Sequence, residues 1–332
     1  MTPVLVADGE VLEGNIVAMQ ELAREHGVAL RPHAKGHRAA WVAARQLTAG
    51  AVGVGVATLA EAAIFLEAGV GDVLLTTILP PGRAADAVAL GGAGALTVVV
   101  HTPELAAAFA AAADGAGVVL PVLVDVDVGQ HRGGAPTPAA ALAAADAIAA
   151  APSLRMRGVQ GYDGHLQGIA DPVARADGHA GAMARLDAVL DVLAGAGHAL
   201  DVVTTAGTAT APLAAVHPRV TELQPGSYAL MDRAYAQIGG VAFAQAAFVL
   251  TTVTAVLGPG EVIVDAGSRA ISSDLGLPQV DGLDATWTVA GDEHGRITGE
   301  VGRLRPGDVL RLIPSHTDTT VVLHGAVVPA PG

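Results

Sequence analysis

Cysteine is absent from all 332 residues of the chain. Disulfide bridges, thiolate zinc sites and cysteine nucleophiles are therefore excluded. The first residues carry no basic segment followed by an apolar one, as a signal peptide would. No run reaches the roughly 18 uninterrupted apolar residues of a membrane span. We therefore expect a cytoplasmic protein that does not use a membrane as a partner.

Positive charge is scarce. The chain has 18 Lys and Arg residues against 32 Asp and Glu residues, which gives a formal net charge of −14. Nucleic acids and anionic membranes are bound by basic faces, so this balance argues against both as partners. An anionic ligand would have to be held by a few local groups rather than by the overall field of the protein.

Lysine is rarer still, because Lys35 is the only one and every other cationic side chain is arginine. A lysine amine can lose its proton and attack a carbonyl carbon to form a Schiff base, whereas arginine cannot. Four basic or titratable side chains lie nearby in the chain: Arg31, His33, His37 and Arg38. Positive neighbours would favour the neutral amine. We predict a covalent catalyst, and the alternative is an ordinary surface lysine.

Aromatic residues make up only 3% of the chain although 52% is hydrophobic, so the core must be built from Ala, Val and Leu. Short β-rich runs alternate with Ala- and Leu-rich helical stretches. These runs are Val28–Arg31, Val52–Val56, Val73–Thr77, Leu96–Val100, Val122–Val126, Arg157–Tyr162, Val202–Thr205 and Val220–Leu223. Eight βα units over about 200 residues predict an α/β fold, a closed (β/α)₈ TIM-type barrel with buried parallel strands. An open doubly wound sheet is the alternative.

The pattern changes beyond about Tyr235, where β-rich runs are separated by Gly, Pro and Asp turns. These runs are Phe248–Val256, Glu261–Asp265, Trp287–Val289, Val309–Ile313 and Thr319–Leu323. They predict a second, mostly antiparallel β domain. We expect the barrel over residues 8–235 and the β domain over residues 236–332, joined by the N-terminal strand at residues 2–7.

The ends of the predicted barrel strands point to a cofactor. Active sites of such barrels lie at the carboxyl ends of the strands, and Lys35 follows the first strand. The loops after strands seven and eight, residues 205–210 and 224–228, carry Gly beside hydroxyl residues, which suits a phosphate group. A phosphate-bearing carbonyl cofactor that a lysine can bind covalently is pyridoxal 5′-phosphate.

His316 and Asp318 form a candidate metal pair. They are two residues apart at the start of the predicted strand Thr319–Leu323, so strand geometry would point both to one face. One nitrogen and one carboxylate oxygen suit Mn²⁺ first, and also Mg²⁺ or Co²⁺, with water and substrate completing the shell. By itself the pair is also compatible with a solvated strand end.

Short motifs in order along the chain resemble the D-threonine aldolase and D-serine dehydratase family. They are Arg31–Lys35, Asp127–Gly133, Thr221–Tyr228, Asp265–Ser268, Asp292–Gly295 and Pro314–Asp318. The resemblance runs from Thr2 to about Val322. It implies a fold-type III pyridoxal phosphate enzyme with an alanine racemase-like N-terminal barrel, a C-terminal β domain and a homodimeric assembly.

The resemblance also implies roles for single residues. Lys35 would be the Schiff-base lysine, Arg132 would contact the phenolic oxygen of the cofactor, and Tyr162 would lie near its pyridine nitrogen. The cofactor phosphate would be held by Gly207, Thr208, Gly226, Ser227 and Tyr228. Without the resemblance, Arg132 would be interpreted as a surface ion-pairing residue and Tyr162 as a core aromatic.

Two departures from the family pattern stand out. Ala206 and Ala209 occupy positions where relatives tend to carry further glycines. The segment Gly161–Gln167 lacks the Tyr-His-Gly arrangement and the later histidine of many aldolases. His165 would then substitute as the acid/base group, or that role would lie elsewhere.

The metal pair bears on the reaction that the resemblance implies. Family members bind a divalent metal at this point, and dehydratases tend to carry cysteine where Asp318 stands, whereas aldolases carry aspartate. We therefore predict a metal-dependent lyase, an aldolase that cleaves D-threonine or a related D-3-hydroxy amino acid to glycine and an aldehyde. The alternatives are a D-serine or D-3-hydroxyaspartate dehydratase and, more remotely, a non-catalytic pyridoxal phosphate carrier.

Overall fold

The chain forms two compact units in the computed structural model, which describes residues 1–92 and 94–331. The barrel unit comprises Ala18–Lys35 and Ala40–Gly226. The β unit comprises Met1–Val17, Gly36–Ala39 and the residues from Ser227 onward. Each unit is described by itself below.

The chain opens with strand β1 (Val4–Ala7) of the β unit, and the next strands build the barrel. Within the described residues, eight parallel strands form the barrel sheet: β2 (Ala29–Leu30), β3 (Val54–Val56), β4 (Val73–Leu75), β5 (Leu96–Val100), β6 (Leu120–Asp125), β7 (Leu154–Gly161), β8 (Val202–Thr205) and β9 (Glu222–Leu223). Strand β2 pairs with β9, and a bridge between His33 and Gly55 joins β2 to β3. The predicted barrel is confirmed, and the open sheet is excluded because no gap remains between the first two strands.

Helices follow the strands, as the Ala- and Leu-rich stretches predict. They are α1 (Gly9–Glu25), α2 (Ala40–Ala49), α3 (Leu59–Glu67), α4 (Ala84–Gly91), α5 (Pro103–Ala116), α6 (Pro138–Ala149), α7 (Pro172–Gly195) and α8 (Ala211–Ala215). Thr58, Thr102 and Thr137 cap three of them by accepting a backbone N–H bond in the first turn. Within residues 1–92 and 94–331, no helix combines the length and the apolar character that crossing a membrane requires.

The β unit is built mostly from antiparallel strands. They are β10 (Ala247–Gly258), β11 (Glu261–Val264), β12 (Gln279–Val280), β13 (Ala285–Val289), β14 (Gly295–Gly299), β15 (Val309–Ile313) and β16 (Val328–Pro329). Strand β1 runs antiparallel to β10, with Val4 opposite Leu250. The indole of Trp287 is fully buried and donates from Nε1 to Ala266 O at 3.1 Å. A second β domain is thereby confirmed.

One predicted strand is wrong, because residues 319–323 lie in helix α9 (Thr317–His324). A run of β-branched residues favours a strand. The residues that are buried in this segment, however, are Thr317, Thr320 and Val321, at the three- and four-residue spacing of a helix face. The Thr320 hydroxyl also donates back to His316 O at 2.8 Å, a bond typical of helices. Packing on one face of the helix therefore outweighs the local preference of these β-branched residues for a strand.

Candidate active site

Lys35 lies in a single 3₁₀ turn, Ala34–Gly36, directly beyond the carboxyl end of β2. The segment before it is fixed by a hydrogen bond from the His33 N–H group to Pro225 O at 2.9 Å. Gly226 permits this approach, because a Cβ atom there would stand 2.9 Å from His33 O. The lysine-bearing turn is thus held by the backbone that follows β9.

Arg31 is buried inside the barrel and fully paired. Its guanidinium donates to Glu222 Oε1 at 2.9 Å and to Asp72 Oδ1 at 3.0 Å. Burial by itself lowers the pKa of Arg31, but the charges and hydrogen bonds of Glu222 and Asp72 outweigh it, so the pKa is raised. Its positive charge is therefore balanced locally.

The two histidines beside Lys35 accept hydrogen bonds at Nδ1. The Lys35 N–H group donates to His33 Nδ1 at 3.3 Å, and the Ala39 N–H group donates to His37 Nδ1 at 3.1 Å. A ring nitrogen that accepts a hydrogen bond carries no proton, so Nδ1 of each ring serves as an acceptor in this geometry. Of the four neighbours expected to act on the Lys35 amine, Arg31 has its charge balanced by carboxylates, and the effect of the other three stays a prediction.

A cavity of about 120 Å³ opens at the carboxyl ends of β4, β6 and β7, and its lining includes Thr76, Asp125, Arg132 and Tyr162. The guanidinium carbon of Arg132 lies 5.5 Å from the centre of the Tyr162 ring. This is cation–π geometry, which holds both side chains in place. The structure thus brings together two residues that the family resemblance assigns to the cofactor ring.

Asp125 is a titratable group of this cavity that sequence reasoning missed. Gln160 Nε2 donates to its Oδ1 at 2.7 Å. Burial raises the pKa of Asp125 to about 7, while the Gln160 hydrogen bond and the Arg132 charge work in the opposite direction. Its only sequence clue is its place at the end of a predicted strand. Such a group can hold or release a proton near neutral pH.

The loop after β8 carries the predicted phosphate residues Gly207 and Thr208. Ala206 has φ 69°, in the left-handed region that favours glycine, which matches the departure noted at this position. A Cβ atom at Gly207 would lie 2.5 Å from the Gln167 side chain, so close packing explains this glycine.

Two backbone N–H groups of the same loop are used within the protein. The Gly207 N–H group donates to Thr210 Oγ1 at 3.2 Å, and the Ala209 N–H group donates to Gln167 Oε1 at 2.9 Å. Thr208 lies between them and is buried. A phosphate at this loop would therefore depend on Thr208 more than on the N–H groups of its neighbours.

A buried carboxylate, Asp163, holds the loop after β8 through hydrogen bonds. Asp163 is fully buried and accepts from Gln167 Nε2 at 3.1 Å and from Thr210 Oγ1 at 3.1 Å. Its other oxygen lies 2.9 Å from His179 Nδ1 on helix α7. Three polar side chains are thus tied to one carboxylate, which rigidifies the loop.

The second predicted phosphate segment contributes Gly226 to the barrel unit and Ser227 and Tyr228 to the β unit. Ser227 begins a 3₁₀ turn, and its carbonyl accepts the Met231 N–H group at 2.7 Å. Tyr228 is fully buried and meets the Phe243 ring edge-on at a centroid distance of 5.7 Å. The ring of Tyr228 is thus held by aromatic packing.

His165 lies in the 3₁₀ turn Gly164–Leu166 and is exposed. Its Nε2 atom lies 3.4 Å from the position that a Cβ atom would occupy at Gly129, in the loop after β6. The candidate acid/base histidine is therefore a surface group at the carboxyl edge of the barrel.

The metal pair has a different geometry from the one predicted. His316 is the N-cap residue of α9 and Asp318 lies in its first turn, so strand periodicity does not relate them. His316 Nδ1 lies 2.7 Å from Asp274 Oδ2. Partial burial would raise the pKa of Asp274, but hydrogen bonds from His316, Ser272 and Thr319 lower it to about 2. Asp274 is therefore an ionised partner of the His316 ring.

Asp318 lies against the backbone of Gly36, since a Cβ atom there would stand 2.9 Å from Asp318 Oδ1. Gly36 directly follows Lys35 in the chain. Nearby, buried Asp232 accepts the Thr317 N–H group at 2.9 Å and fixes the start of α9. Burial raises the pKa of Asp232, against its hydrogen bonds and the charge of His316.

The donor set fits a divalent ion held by few protein ligands. With Nδ1 bonded to Asp274, His316 would offer Nε2 to an ion, in the carboxylate–histidine arrangement common at metal sites. Across residues 1–92 and 94–331, no group of three or more His, Cys, Asp or Glu side chains is arranged to hold a metal ion. His316 and Asp318 would thus bind an ion whose shell is completed by other molecules.

The barrel cavity fits the ring of an anionic aromatic cofactor. It presents the Arg132 cation, the Tyr162 ring and the Thr76 hydroxyl group. Thr76 Oγ1 is also 3.0 Å from His33 Nε2, and His33 binds the Lys35 N–H group. Two hydrogen bonds therefore link Lys35 to the wall of this cavity: its backbone N–H group binds His33, and the His33 ring binds Thr76.

The alanine racemase N-terminal domain family matches residues 8–234, and the serine dehydratase domain family matches residues 246–329. The D-threonine aldolase of Arthrobacter sp is 37% identical over 98% of this chain and 88% of that protein. This chain belongs to the D-threonine aldolase and D-serine dehydratase family. The predicted recognition is thereby confirmed.

Solved structures of the family agree with the fold. The D-threonine aldolase from Filomicrobium marinum has a TM-score of 0.92 at 31% identity, covering 98% of this chain and 90% of that one. The D-threo-3-hydroxyaspartate dehydratase from Delftia sp. HT23 has a TM-score of 0.89 at 31% identity, covering 97% and 92%. The relatives thus include both an aldolase and a dehydratase.

Proposed function

We propose that the protein is a metal- and pyridoxal phosphate-dependent aldolase that cleaves D-threonine or a related D-3-hydroxy amino acid to glycine and an aldehyde. The observation that carries this proposal is the turn of the only lysine, which is tied through His33 to Thr76 in the wall of the Arg132 cavity. Similarity to a D-threonine aldolase over nearly the whole chain supports it.

The barrel residues would hold the cofactor. Pyridoxal phosphate, when bound, supplies an electron sink for cleavage at the α-carbon. The Lys35 amine would bind it covalently, Arg132 would neutralise its phenolic oxygen, and Tyr162 would lie near its pyridine nitrogen. The phosphate would be held by Gly207, Thr208, Gly226, Ser227 and Tyr228.

The β-unit residues would hold the metal, for which Mn²⁺ is the first candidate and Mg²⁺ and Co²⁺ the others. A divalent ion supplies Lewis acidity toward a hydroxyl group. His316 would coordinate through Nε2, because Asp274 holds the other ring nitrogen, and Asp318 would add a carboxylate oxygen. Aspartate rather than cysteine at position 318 favours the aldolase over the dehydratase.

Two groups of the barrel unit can move the proton of the substrate hydroxyl. His165 is exposed on its turn and is the acid/base candidate from the sequence. Asp125, whose pKa burial raises to about 7, is the second. Replacing each by asparagine and comparing the pH dependence of kcat would assign the role, since removing the true acid/base group removes one limb of the profile.

The test of the function is a product assay on purified protein with pyridoxal phosphate, Mn²⁺ and D-threonine. An aldolase yields acetaldehyde and glycine, whereas a dehydratase yields 2-oxobutyrate and ammonia. Binding of the cofactor without turnover of any D-3-hydroxy amino acid would instead support a carrier. Lys35→Arg keeps the charge, and we expect it to remove both turnover and the visible absorbance of lysine-bound cofactor, because guanidinium cannot form that bond.

The metal is tested separately. We expect a chelator or His316→Ala to remove cleavage while the cofactor absorbance persists, and Mn²⁺ to restore the chelated wild type. His324→Ala is the matched control, because His324 lies in the same helix and donates from Nε2 to Ala270 O rather than binding a metal. Full cleavage in chelator would remove the metal from the proposal. A homodimer is proposed on the family resemblance, with light scattering as its test, and a cytoplasmic location on the absence of cysteine, with fractionation as its test.

A further inference from the structure

His33 lies between the catalytic lysine candidate and the barrel wall, and its ring is bonded at both ends. Nδ1 accepts the Lys35 N–H group at 3.3 Å, and Nε2 lies 3.0 Å from Thr76 Oγ1. The Thr76 hydroxyl group lies 3.1 Å from Val56 O and donates to it.

These contacts determine which group donates and which accepts in each of the three hydrogen bonds. Because Nδ1 accepts, the ring proton must be on Nε2, which therefore donates to Thr76. The Thr76 hydroxyl can accept this bond because its own proton goes to Val56 O. An imidazole that carries its proton on Nε2 and none on Nδ1 satisfies these three contacts.

The position of the ring is fixed as firmly as its tautomer. The His33 N–H group is bonded to Pro225 O, and its backbone bridges to Gly55. A Cβ atom at Gly226 would lie 2.9 Å from His33 O, and one at Gly55 would lie 3.5 Å from His33 Cδ2. Glycine on both sides lets neighbouring backbone close on His33, so the ring has little freedom to move.

We propose that His33 is a positioning residue whose neutral ring holds the 3₁₀ turn of Lys35 against β4 and thereby aims the lysine amine. The proposal rests on the function proposed above, in which Lys35 binds the cofactor. Positioning matters because a misplacement of about 1 Å can cost roughly a hundredfold in rate. His33 itself touches no reacting atom in this role.

Two substitutions test the hydrogen bonds at Nδ1 and at Nε2 of His33 separately. In His33→Asn the amide oxygen replaces Nδ1 and still accepts the Lys35 N–H group, but the bond to Thr76 is lost. In His33→Gln the amide nitrogen replaces Nε2 and still donates to Thr76, but the Lys35 N–H group loses its acceptor. Both remove the same aromatic ring, so they form a matched pair.

The only lysine gives a readout that needs no cofactor. Protein labelled with ¹⁵N-lysine shows one backbone amide signal, that of Lys35. We expect His33→Gln to speed hydrogen exchange of this amide by roughly fivefold or more, because a hydrogen bond contributes on the order of 1 kcal/mol. In His33→Asn the exchange rate should stay within about twofold of wild type.

The holoenzyme supplies the second readout. We expect His33→Gln to lower kcat roughly tenfold to a hundredfold and to weaken the absorbance of lysine-bound cofactor, while His33→Asn keeps most of both. Equal losses in the two variants, or unchanged amide exchange in His33→Gln, would overturn the positioning role. A wild type with a protected Lys35 amide and no cofactor absorbance would refute the proposed function and leave the hydrogen bonds of His33 standing.

Discussion

Two carboxylate–histidine pairs, one in each unit, show how burial decides what the same two groups do. Asp163 and His179 of the barrel unit lie 2.9 Å apart with side-chain exposures of 0% and 6%. Asp274 and His316 of the β unit lie 2.7 Å apart with exposures of 40% and 24%. In the sealed pair, Asp163 accepts further hydrogen bonds from Gln167 and Thr210 and supports a loop. In the open pair, Asp274 would orient the His316 ring for a ligand from outside.

The largest expected effect comes from breaking the sealed pair. Asp163→Ala removes the acceptor of the buried Thr210 and His179 side chains, at about 1–3 kcal/mol each, and one of the two side-chain acceptors of Gln167. We therefore expect the free energy of unfolding to fall by about 5 kcal/mol. Urea denaturation of the cofactor-free protein measures this loss. A cost similar to that of Asp274→Ala would contradict the contrast between the two pairs.

Asp125, a half-buried carboxyl without a histidine partner, extends the comparison. Because burial raises the pKa of Asp125 to about 7, the folded state binds its proton more tightly than the unfolded state. Stability should therefore fall as the pH rises from about 4 to 7, by about 4 kcal/mol in total, and level off above. Asp125→Asn should remove this dependence in urea denaturation across that pH range. An unchanged pH slope in the variant would argue against the buried proton.

The open pair should affect metal binding rather than stability. We expect Asp274→Asn to weaken the affinity for Mn²⁺ roughly tenfold to a hundredfold, because the carboxylate no longer orients His316. Calorimetric titration of Mn²⁺ measures this change. Asp281→Asn is the control, since Asp281 pairs with Arg311 and not with a histidine. Equal affinities in the two variants would count against the orienting role.

The smallest effect is expected from a third pair, Asp146 and His198, which lie 2.8 Å apart. The Asp146 side chain is 64% exposed, so water replaces its partner readily. We expect Asp146→Ala to change the free energy of unfolding by no more than about 0.5 kcal/mol. A loss of several kcal/mol in urea denaturation would mean that burial does not rank the three pairs.

The barrel could be predicted because its strands are buried on both faces. Val202–Thr205 has the same bounds in the sequence prediction and in the structure, since a short apolar run between helical stretches has few other solutions. Helix α9 could not be predicted in this way. Its Thr-Thr-Val-Val sequence favours a strand, and only the packing of Thr320 and Val321 decides for a helix.

The candidate site was predictable where chemistry is carried by a residue type, as with the single lysine and the His-x-Asp pair. The residues that support the candidate site could not be predicted from the sequence. Asp163 and His179 are 16 residues apart and Asp274 and His316 are 42 apart, with no periodicity to relate them. The same holds for Gln160 and Asp125, whose contact joins the ends of neighbouring strands.

The sequence by itself determined the succession of βα units, the exclusion of thiol chemistry and the single amine available for covalent catalysis. These features follow from composition and from the local spacing of apolar residues. They do not depend on which distant residues pack nearby. Only the tertiary structure decided that His33 accepts a hydrogen bond at Nδ1, that Arg31 is balanced and that the pKa of Asp125 is raised to about 7. Protonation depends on burial and on charges a few ångströms away, and the residues that supply them come from distant parts of the chain.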